Sequence, residues 1–428
     1  MSIKTLKFSV DITKILDFFV ILLIVLSTQS VYYVATSPDF HILQLVNIVL
    51  GFRVFYSLPG IIKYFRSSLF MSILLWGMYM GLFYMISAQG NSGFLQRFLL
   101  FPVLLILYVW FYIKEGRIRE LLALYTKIIS TIAVLSLFFW LFGSILGIFP
   151  STGTLRIFWG ADRFITSYFG VYYQWQNDAE FLGRVFFRNI GIFAEAPMYS
   201  LHLSIAFLID FFLLGNRKKR KVALYAITIL TSYSVTGILL MIMSLSLNIF
   251  FDSIYHFLRR RKLNLVVLVL PVLIVGVLLL GNNILGTKLS SASGSSRMED
   301  YVIGFKAWKY HPLFGSGYGN MGLVNSLKSK VRYARSATGF TNSPTTILAE
   351  GGLYFISIYG YAFWHMISKS IQKMDKNRLI FATMWLYLFL TTTFEHSTLM
   401  ISFLVFAIID KKVNITLKKN ADITEKNI

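Results

Sequence analysis

The sequence contains no cysteine, and acidic residues are scarce: 19 Asp and Glu stand against 41 Lys and Arg in 428 residues. The absence of cysteine excludes disulfide bonds, thiol nucleophiles and cysteine-ligated metal sites. Charged residues make up only 14% of the chain, which is low for a soluble domain. The formal charge of +22 would suggest nucleic-acid binding in a soluble protein, but cytoplasmic loops of membrane proteins also collect lysine and arginine.

Apolar residues dominate instead. Hydrophobic residues form 56% and aromatic residues 17% of the chain, and the mean hydropathy is +0.65. Repeated long apolar runs of this kind predict an all-α, polytopic membrane protein, with residues 1–428 as one membrane domain and about twelve spans. These spans are expected near 15–35, 41–59, 68–88, 95–113, 121–148, 190–214, 222–236, 237–256, 263–282, 343–367, 379–396 and 397–409.

The short connections rich in Lys and Arg all fall on one side of these spans, together with both termini. By the positive-inside rule this side is the cytoplasm, which predicts a multi-pass protein of the inner (cytoplasmic) membrane. Two long loops, 149–189 and 283–342, then face outward. Long loops are usually functional, and both are rich in aromatic residues, which suit packed structure or sugar-binding platforms. An aromatic belt at the membrane surface is the alternative.

Basic residues in the outward loops are not explained by the positive-inside rule. The arginines in question are Arg156, Arg163, Arg184, Arg188, Arg297, Arg332 and Arg335. An arginine side chain grips phosphate with a planar fork that is always charged. Outward arginines beside a membrane therefore predict a lipid-linked diphosphate as the ligand, and attraction to anionic headgroups is the alternative.

Three stretches carry the candidate site, and the first is RNIGIFAEAPMYS, residues 188–200. Arg188 stands at the outer end of a predicted span, and Glu195 follows inside it. A carboxylate at membrane depth is costly, so it marks a candidate functional site. The alternative is a buried ion pair that only orients helices.

The second stretch is SGSSRMEDYVIGFKAWKYHPLFGSGYGN, residues 293–320. It begins with small residues and then predicts a short amphipathic helix that lies on the membrane surface. The residues expected on that surface are Ile303, Phe305, Ala307 and Trp308. The closing HPLFGSGYGN predicts a tight turn, and glycine-rich turns can present backbone N–H groups to a phosphate.

The third stretch is GFTNSPTTILAEGGLYF, residues 339–355. Its polar start predicts that Asn342 caps a helix whose first N–H groups face the bound saccharide or diphosphate. Gly351 and Gly352 are expected to let a neighbouring helix approach closely. Glu350 is either catalytic or paired with an arginine of the outer loops.

The sequence resembles the O-antigen ligase/polymerase family, the Wzy- and WaaL-like bacterial polysaccharide enzymes. The resemblance lies in the order of three features: an amphipathic segment that begins with an arginine, then hPLFGxGxGN, then TNSPxxILAExGL. The resemblance covers roughly 185–355, and SYSVTGILLMIMS (232–244) is similar to the family's small-polar membrane hairpin. The first 150 residues match in hydropathy only. The ligases typically have a histidine where this chain has Thr341, and a threonine cannot take a proton as imidazole does. This departure favours a polymerase.

The resemblance implies a glycosyltransferase-C-like fold and an inverting glycosyl transfer at the outer face of the membrane. The donor would be a saccharide on undecaprenyl diphosphate, and the acceptor a sugar hydroxyl of a second lipid-linked repeat unit. The product would be capsule, O-antigen or exopolysaccharide. Neither outer loop contains the DxD motif of many metal-dependent glycosyltransferases, so no metal and no cofactor are expected. The alternatives are an O-antigen ligase and a flippase or transporter of lipid-linked saccharides.

The predicted catalytic residues are Arg297, Arg188, Glu195, Asn342 and Glu350. The predicted substrate-binding residues are Arg335, His311, Tyr318, Thr341 and Arg184. The general base for the acceptor hydroxyl stays open among Glu195, His311, Glu350 and His396. The expected partners are the lipid-linked oligosaccharide, the lipid bilayer, a flippase and a chain-length regulator, and no nucleic acid is expected.

Overall fold

A computed structural model describes residues 11–35, 41–177, 179–181, 184–260, 292–329, 332 and 339–412. The helices α1 to α13 are, in chain order, Ile12–Leu26, Ile42–Lys63, Ser67–Ser87, Ser92–Lys114, Ile118–Ile145, Ala196–Leu213, Lys219–Thr231, Val235–Arg260, Ala292–Tyr310, Gly322–Leu327, Ser343–Gln372, Lys376–Thr391 and Thr398–Lys412. The strands β1 to β5 are Gly153–Trp159, Ala161–Tyr168, Tyr172–Gln174, Ala179–Phe181 and Arg184–Phe186.

The helices support an all-α membrane protein. In the part of the chain that is described, six helices are long and apolar enough to cross a membrane: α2 to α6, and α8 over Val235–Ser253. Shorter or interrupted helices cover the other predicted spans, except 263–282, which lies outside the described residues. The total of twelve spans therefore stays a prediction.

The helices run between two ends of one bundle. At the basic end, formed by connections 64–66, 115–117, 214–218 and 373–375, Arg119 Nη2 donates to the Leu214 carbonyl (2.7 Å). At the loop end, formed by connections 88–91, 146–195, 232–234, 311–342 and 392–397, the Tyr318 N–H donates to the Ser87 carbonyl (2.8 Å). The described parts of both long loops thus lie at the loop end, away from the basic connections. Which end faces the cytoplasm stays a prediction.

Buried charges near the basic end are paired locally. Arg53 Nε lies 2.5 Å from Asp17, and Lys221 Nζ lies 2.7 Å from Asp210. Asp410 has no exposed surface, and it pairs with both Lys369 (2.9 Å) and Arg378. Pairing of this kind is what allows charges to be buried between helices.

The first long loop folds into antiparallel sheet, which the sequence reasoning did not predict. Strands β1, β2 and β3 form one sheet in that order, and β4 pairs with β5. Ile157 and Ile165 lie on the buried face of the β1–β2 hairpin, whereas Phe158 and Phe164 lie on the exposed face. This alternation along each strand is the pattern of a sheet with one face packed against protein.

The prediction that Ile303 and Ala307 of α9 face the membrane is wrong. Both are buried against Phe340 and Ala349, together with other apolar residues of the second loop. The exposed apolar side chains among the described residues of α9 are Met298, Tyr301, Val302, Phe305 and Tyr310. The helix buries its small-residue face because α11 packs directly on it: a Cβ at Gly304 would lie 2.5 Å from Thr345 Cβ.

Helix α11 is interrupted at Gly352, whose φ of 58° and ψ of −156° are not helical. The turn 311–319 fills the interruption. The N–H groups of Ser316 and Gly317 donate to the carbonyls of Ala349 (2.8 Å) and Glu350 (3.0 Å).

In the other direction, the N–H groups of Leu353 and Tyr354 donate to the carbonyls of Pro312 (2.9 Å) and Leu313 (2.9 Å). A break in a buried helix is tolerated when its freed backbone groups find such partners. Most described N–H groups of this turn are therefore engaged within the protein, which argues against the phosphate-presenting interpretation of its glycines.

Candidate functional site

Hydrogen bonds join four chain segments at the loop end, and the candidate site is built on this junction. The Ala194 N–H donates to the Gln29 carbonyl (3.0 Å), and Gln29 Nε2 donates to the Thr393 carbonyl (2.9 Å). The Thr393 hydroxyl donates in turn to the Phe340 carbonyl (2.8 Å). The junction therefore places the segment that leads into α6 beside the segment that leads into α11.

Glu195 lies within electrostatic range of several arginines. It is the residue that precedes α6, and burial raises the pKa of its carboxyl, an effect that the Trp159 indole opposes. Three guanidinium groups also lie within electrostatic range and favour its charged form, those of Arg188, Arg297 and Arg163. We call these three arginines and Glu195 the arginine cluster. It combines the first long loop, the start of α6 and the start of the described part of α9.

Backbone carbonyls and an aromatic ring orient two members of the arginine cluster. Arg188 donates from Nε to the Ser232 carbonyl (2.9 Å) and from Nη2 towards the Tyr233 carbonyl (3.4 Å). The Arg163 guanidinium carbon lies 4.5 Å from the centre of the Trp175 ring, a cation–π distance. Both side chains are thus held by the scaffold before any ligand binds.

Arg297 lacks restraints of this kind among the described residues. It is half-buried, and within the described residues its guanidinium makes no hydrogen bond or ion pair at contact distance. It lies in electrostatic range of Tyr301 and Tyr387 as well as Glu195. Its five donors are therefore available to an anionic ligand.

A second polar group surrounds His396, in the connection between α12 and α13. His396 Nε2 lies 2.8 Å from Glu350 Oε2 and 3.9 Å from Glu395 Oε1. The Tyr318 ring packs edge-on against the imidazole at 5.0 Å between centroids. Arg97 Nη1 donates to the Tyr318 hydroxyl (2.7 Å). We call these five side chains the histidine network.

Arg97 enters this network from α4. It lies in a π-helical turn, Leu95–Leu100, a local irregularity that is frequent at functional sites. Its Nη2 donates to the Tyr33 hydroxyl (2.7 Å), so two phenols hold its guanidinium. Burial raises the pKa of the Tyr318 phenol to about 12, which keeps that hydroxyl neutral.

Residues 221–360 match the family model described as O-Antigen ligase. This region of the chain is therefore similar to the O-antigen ligase/polymerase-like family. The matched region covers about a third of the chain and extends from α7 to the middle of α11. No curated protein matches the chain.

The matched region contains only part of the candidate site. Arg297 and Glu350 lie inside it, whereas Arg188, Glu195 and His396 lie outside it. The structure therefore brings residues of the family region together with residues before and after it.

The predicted site residues fall into groups. Arg297, Arg188 and Glu195 meet in the arginine cluster, and Glu350 and Tyr318 meet in the histidine network. Among the described residues, Glu350 does not pair with an outer-loop arginine, the alternative suggested by the sequence; its partner is the imidazole of His396. The roles assigned to these residues stay predictions.

Asn342 and Thr341 stand at the start of α11. Asn342 caps the helix through Oδ1, which accepts from the Thr345 N–H (3.1 Å) and hydroxyl (2.8 Å). Thr341 donates from its N–H (2.8 Å) and hydroxyl (2.6 Å) to Asp300, which also pairs with Arg332. Asp300 is completely buried, so this contact anchors the second loop to the start of α11.

The other predicted residues are not gathered here. His311 is exposed at the end of α9. Arg184 lies in β5, and its side chain lies outside the described residues, as does Arg335 as a whole.

Sequence reasoning missed Arg97, Gln29 and the place of Arg163 in the cluster. Arg97 was detectable, because an arginine inside the apolar run of α4 is costly in the same way as Glu195. Gln29 gave no local signal: its role comes from a left-handed backbone conformation, with a φ of 58°, at the end of α1.

No group of three or more acidic or histidine side chains in the described part of the chain is arranged to hold a metal ion. The cations of the site are arginines.

Proposed function

We propose that this chain is a polysaccharide polymerase of the cytoplasmic membrane. The donor is a saccharide on undecaprenyl diphosphate, and the acceptor is a sugar hydroxyl of a second lipid-linked repeat unit. The product is a surface polysaccharide such as capsule, O-antigen or exopolysaccharide. The family match supports glycosyl transfer of the ligase or polymerase type.

The arginine cluster is the observation that carries the proposal. Three guanidinium groups lie within electrostatic range of one carboxylate, which leaves an excess of positive charge in this cluster. A diphosphate ester is the complementary ligand, because each phosphate accepts paired hydrogen bonds from a planar guanidinium. Arg297 has the most donors available among the three, since the others already bond to carbonyls or stack on a ring.

The reaction needs stabilisation of the leaving group more than it needs a strong acid. As the bond between the anomeric carbon and the diphosphate breaks, negative charge grows on the diphosphate oxygens. Guanidinium groups already held in place by a partly buried scaffold stabilise that charge without reorganising. The acceptor oxygen then bonds to the anomeric carbon from the opposite face, with inversion.

Polymerisation is favoured over ligation by the start of α11. Thr341 occupies the position where the ligases have a histidine, and its hydroxyl donates to Asp300. It supplies no imidazole to activate a ligase acceptor. A flippase fits less well, because the buried charges of the basic end are paired locally, as at Asp17 and Arg53.

The test is elongation of a defined lipid-linked repeat unit by purified protein, read as polymer length and rate on a gel. Replacing Arg297 with Ala is expected to lower the rate about a hundredfold, because a contact to the departing diphosphate contributes on the order of 3 kcal/mol. Arg297→Lys should recover only part of the loss, since an ammonium lacks the fork.

Arg156→Ala is the matched control, because Arg156 pairs with Asp162 on the exposed face of the sheet. It should elongate normally. Near-normal polymer from both Arg297 variants contradicts the proposed role of the cluster. Transfer to a saccharide acceptor that carries no lipid diphosphate, in preference to the repeat unit, would identify a ligase instead.

A further inference from the structure

The imidazole of His396 has one nitrogen committed and one available. Nε2 lies 2.8 Å from the Glu350 carboxylate, which accepts a hydrogen bond from it. A neutral imidazole that donates from Nε2 carries its free electron pair on Nδ1. Glu350 therefore selects the tautomer in which Nδ1 is a proton acceptor, as an orienting carboxylate does for other catalytic histidines.

His396 Nδ1 is also a buried polar atom without a hydrogen-bond partner among the described residues. Three other polar atoms of the same junction share this property: Gln29 Oε1, Asn342 Nδ2 and Glu395 Oε2. Ser343, next to Asn342, donates from its hydroxyl to the Thr392 carbonyl (2.7 Å), and Gln29 donates to the carbonyl of the residue after Thr392, so these residues come from segments in direct contact. Buried polar atoms almost always have partners, so a cluster of exceptions points to a hydrogen-bonding ligand such as a sugar hydroxyl.

The surroundings of His396 suit a base. Burial opposes its protonation, but the charges of Glu350 and Glu395 outweigh burial, and the pKa of His396 is raised. Arg97 acts in the opposite direction. Tyr318, the remaining titratable group in contact with the ring, is neutral at physiological pH.

We propose that His396 Nδ1 is the general base that deprotonates the acceptor hydroxyl, and that Glu350 is the positioning residue that holds the imidazole. This inference rests on the proposed function. The acceptor oxygen forms its bond to the anomeric carbon as its proton passes to Nδ1. The bond between that carbon and the diphosphate breaks, and the diphosphate leaves with the electron pair. The proton on the imidazole is then released to water.

The other candidate bases are each disfavoured by their surroundings. Glu195 lies within electrostatic range of three arginines that favour its charged form, although burial raises its pKa, and these arginines form the proposed diphosphate site. His311 is exposed outside both clusters, and Thr341 is bonded to Asp300. Glu350 is itself occupied by the imidazole.

The test measures kcat and its pH dependence in elongation of the same lipid-linked repeat unit. His396→Gln is expected to lower kcat by about 10²–10⁴-fold, with the KM for the donor little changed, because a base acts on the chemical step. In the wild type, kcat should fall as the pH falls through the pKa of His396. That acid limb should disappear in His396→Gln.

Glu350→Gln keeps the imidazole and gives an independent readout, so the test does not depend on the folding of a His396 variant. Removing this charge lowers the pKa of His396, and the acid limb should move to lower pH. His365→Gln is the matched control: its imidazole also lies near a carboxylate, Asp410, at 3.6 Å, but at the basic end. Its kcat and acid limb should match the wild type.

The outcomes separate this inference from the proposed function. Wild-type protein that elongates no lipid-linked saccharide contradicts the proposed function. An active wild type, with near-normal kcat in His396→Gln or an unmoved acid limb in Glu350→Gln, contradicts the assignment of the base and leaves the polymerase proposal standing.

Discussion

Gly352 should be the least replaceable glycine of α11. Its φ of 58° and ψ of −156° lie in a region that is essentially restricted to glycine. A Cβ at this position would lie 2.6 Å from both the carbonyl carbon and the oxygen of Leu313, and 2.7 Å from the oxygen of Pro312. These are backbone atoms that belong to the turn filling the helix break, so no side-chain rotation relieves the overlap.

The magnitude follows from two costs and one gain. The backbone strain of a non-glycine residue contributes about 1–3 kcal/mol, and forcing the turn away contributes about 1–3 kcal/mol. Alanine returns about 0.4–1 kcal/mol, because it restricts the unfolded chain. We therefore expect Gly352→Ala to lower the free energy of unfolding by about 1–6 kcal/mol.

The measurement is thermal or denaturant unfolding of the purified protein in detergent, with elongation assayed on the same samples. Gly360→Ala is the control, because Gly360 lies in the same helix and a Cβ there would meet nothing within 4 Å. It should be neutral or stabilise the protein by up to about 1 kcal/mol. Equal stability of the two variants would refute the reasoning from the helix break. Gly352→Ala should also reduce elongation, because Glu350 lies two residues away.

The remaining predictions concern topology, metal and the second loop. A cysteine introduced at Ser151 should react with an impermeant thiol reagent on intact cells, whereas a cysteine introduced at Lys218 should not. The chain has no native cysteine that would interfere. The reverse labelling result would invert the predicted topology. Chelators should leave elongation intact, whereas loss in EDTA with recovery in magnesium would contradict an arginine-only site. Asp300→Asn should cost about 3–5 kcal/mol of stability because it removes the buried negative charge that pairs with Arg332. Asp162→Asn on the exposed sheet face should cost less than about 1 kcal/mol, and equal losses would refute that argument.

The positions of most helices were predictable, because apolar runs of sufficient length specify them. Their ends were less so. The predicted span 190–214 begins six residues before α6, since the apolar residues 190–194 are buried in a non-helical turn and bend. The predicted span 379–396 likewise extends past α12, which ends at Thr391. Hydropathy reports burial, and it does not distinguish a helix from a buried connection.

The chemistry of the site was predictable one residue at a time, but its grouping was not. Rules for intramembrane carboxylates and outward arginines found Glu195, Glu350 and Arg297. Their separation into two clusters depends on contacts between distant segments, such as that of Gln29 with Thr393. In each of those contacts the acceptor is a main-chain carbonyl, which leaves no signature in the sequence.

That main-chain character has an evolutionary consequence. The turn in the α11 break is held by hydrogen bonds between N–H and carbonyl groups, and main-chain carbonyls accept the bonds that join the segments at the loop end. Every residue has a carbonyl group, and every residue except proline has an N–H group. Under the proposed function, side chains that contact the saccharide can therefore change during evolution while the main-chain frame that positions the arginine cluster and His396 is retained. Relatives that polymerise different sugars should share this frame even where few of their residues coincide, so comparison of backbones should detect kinship that comparison of residues misses.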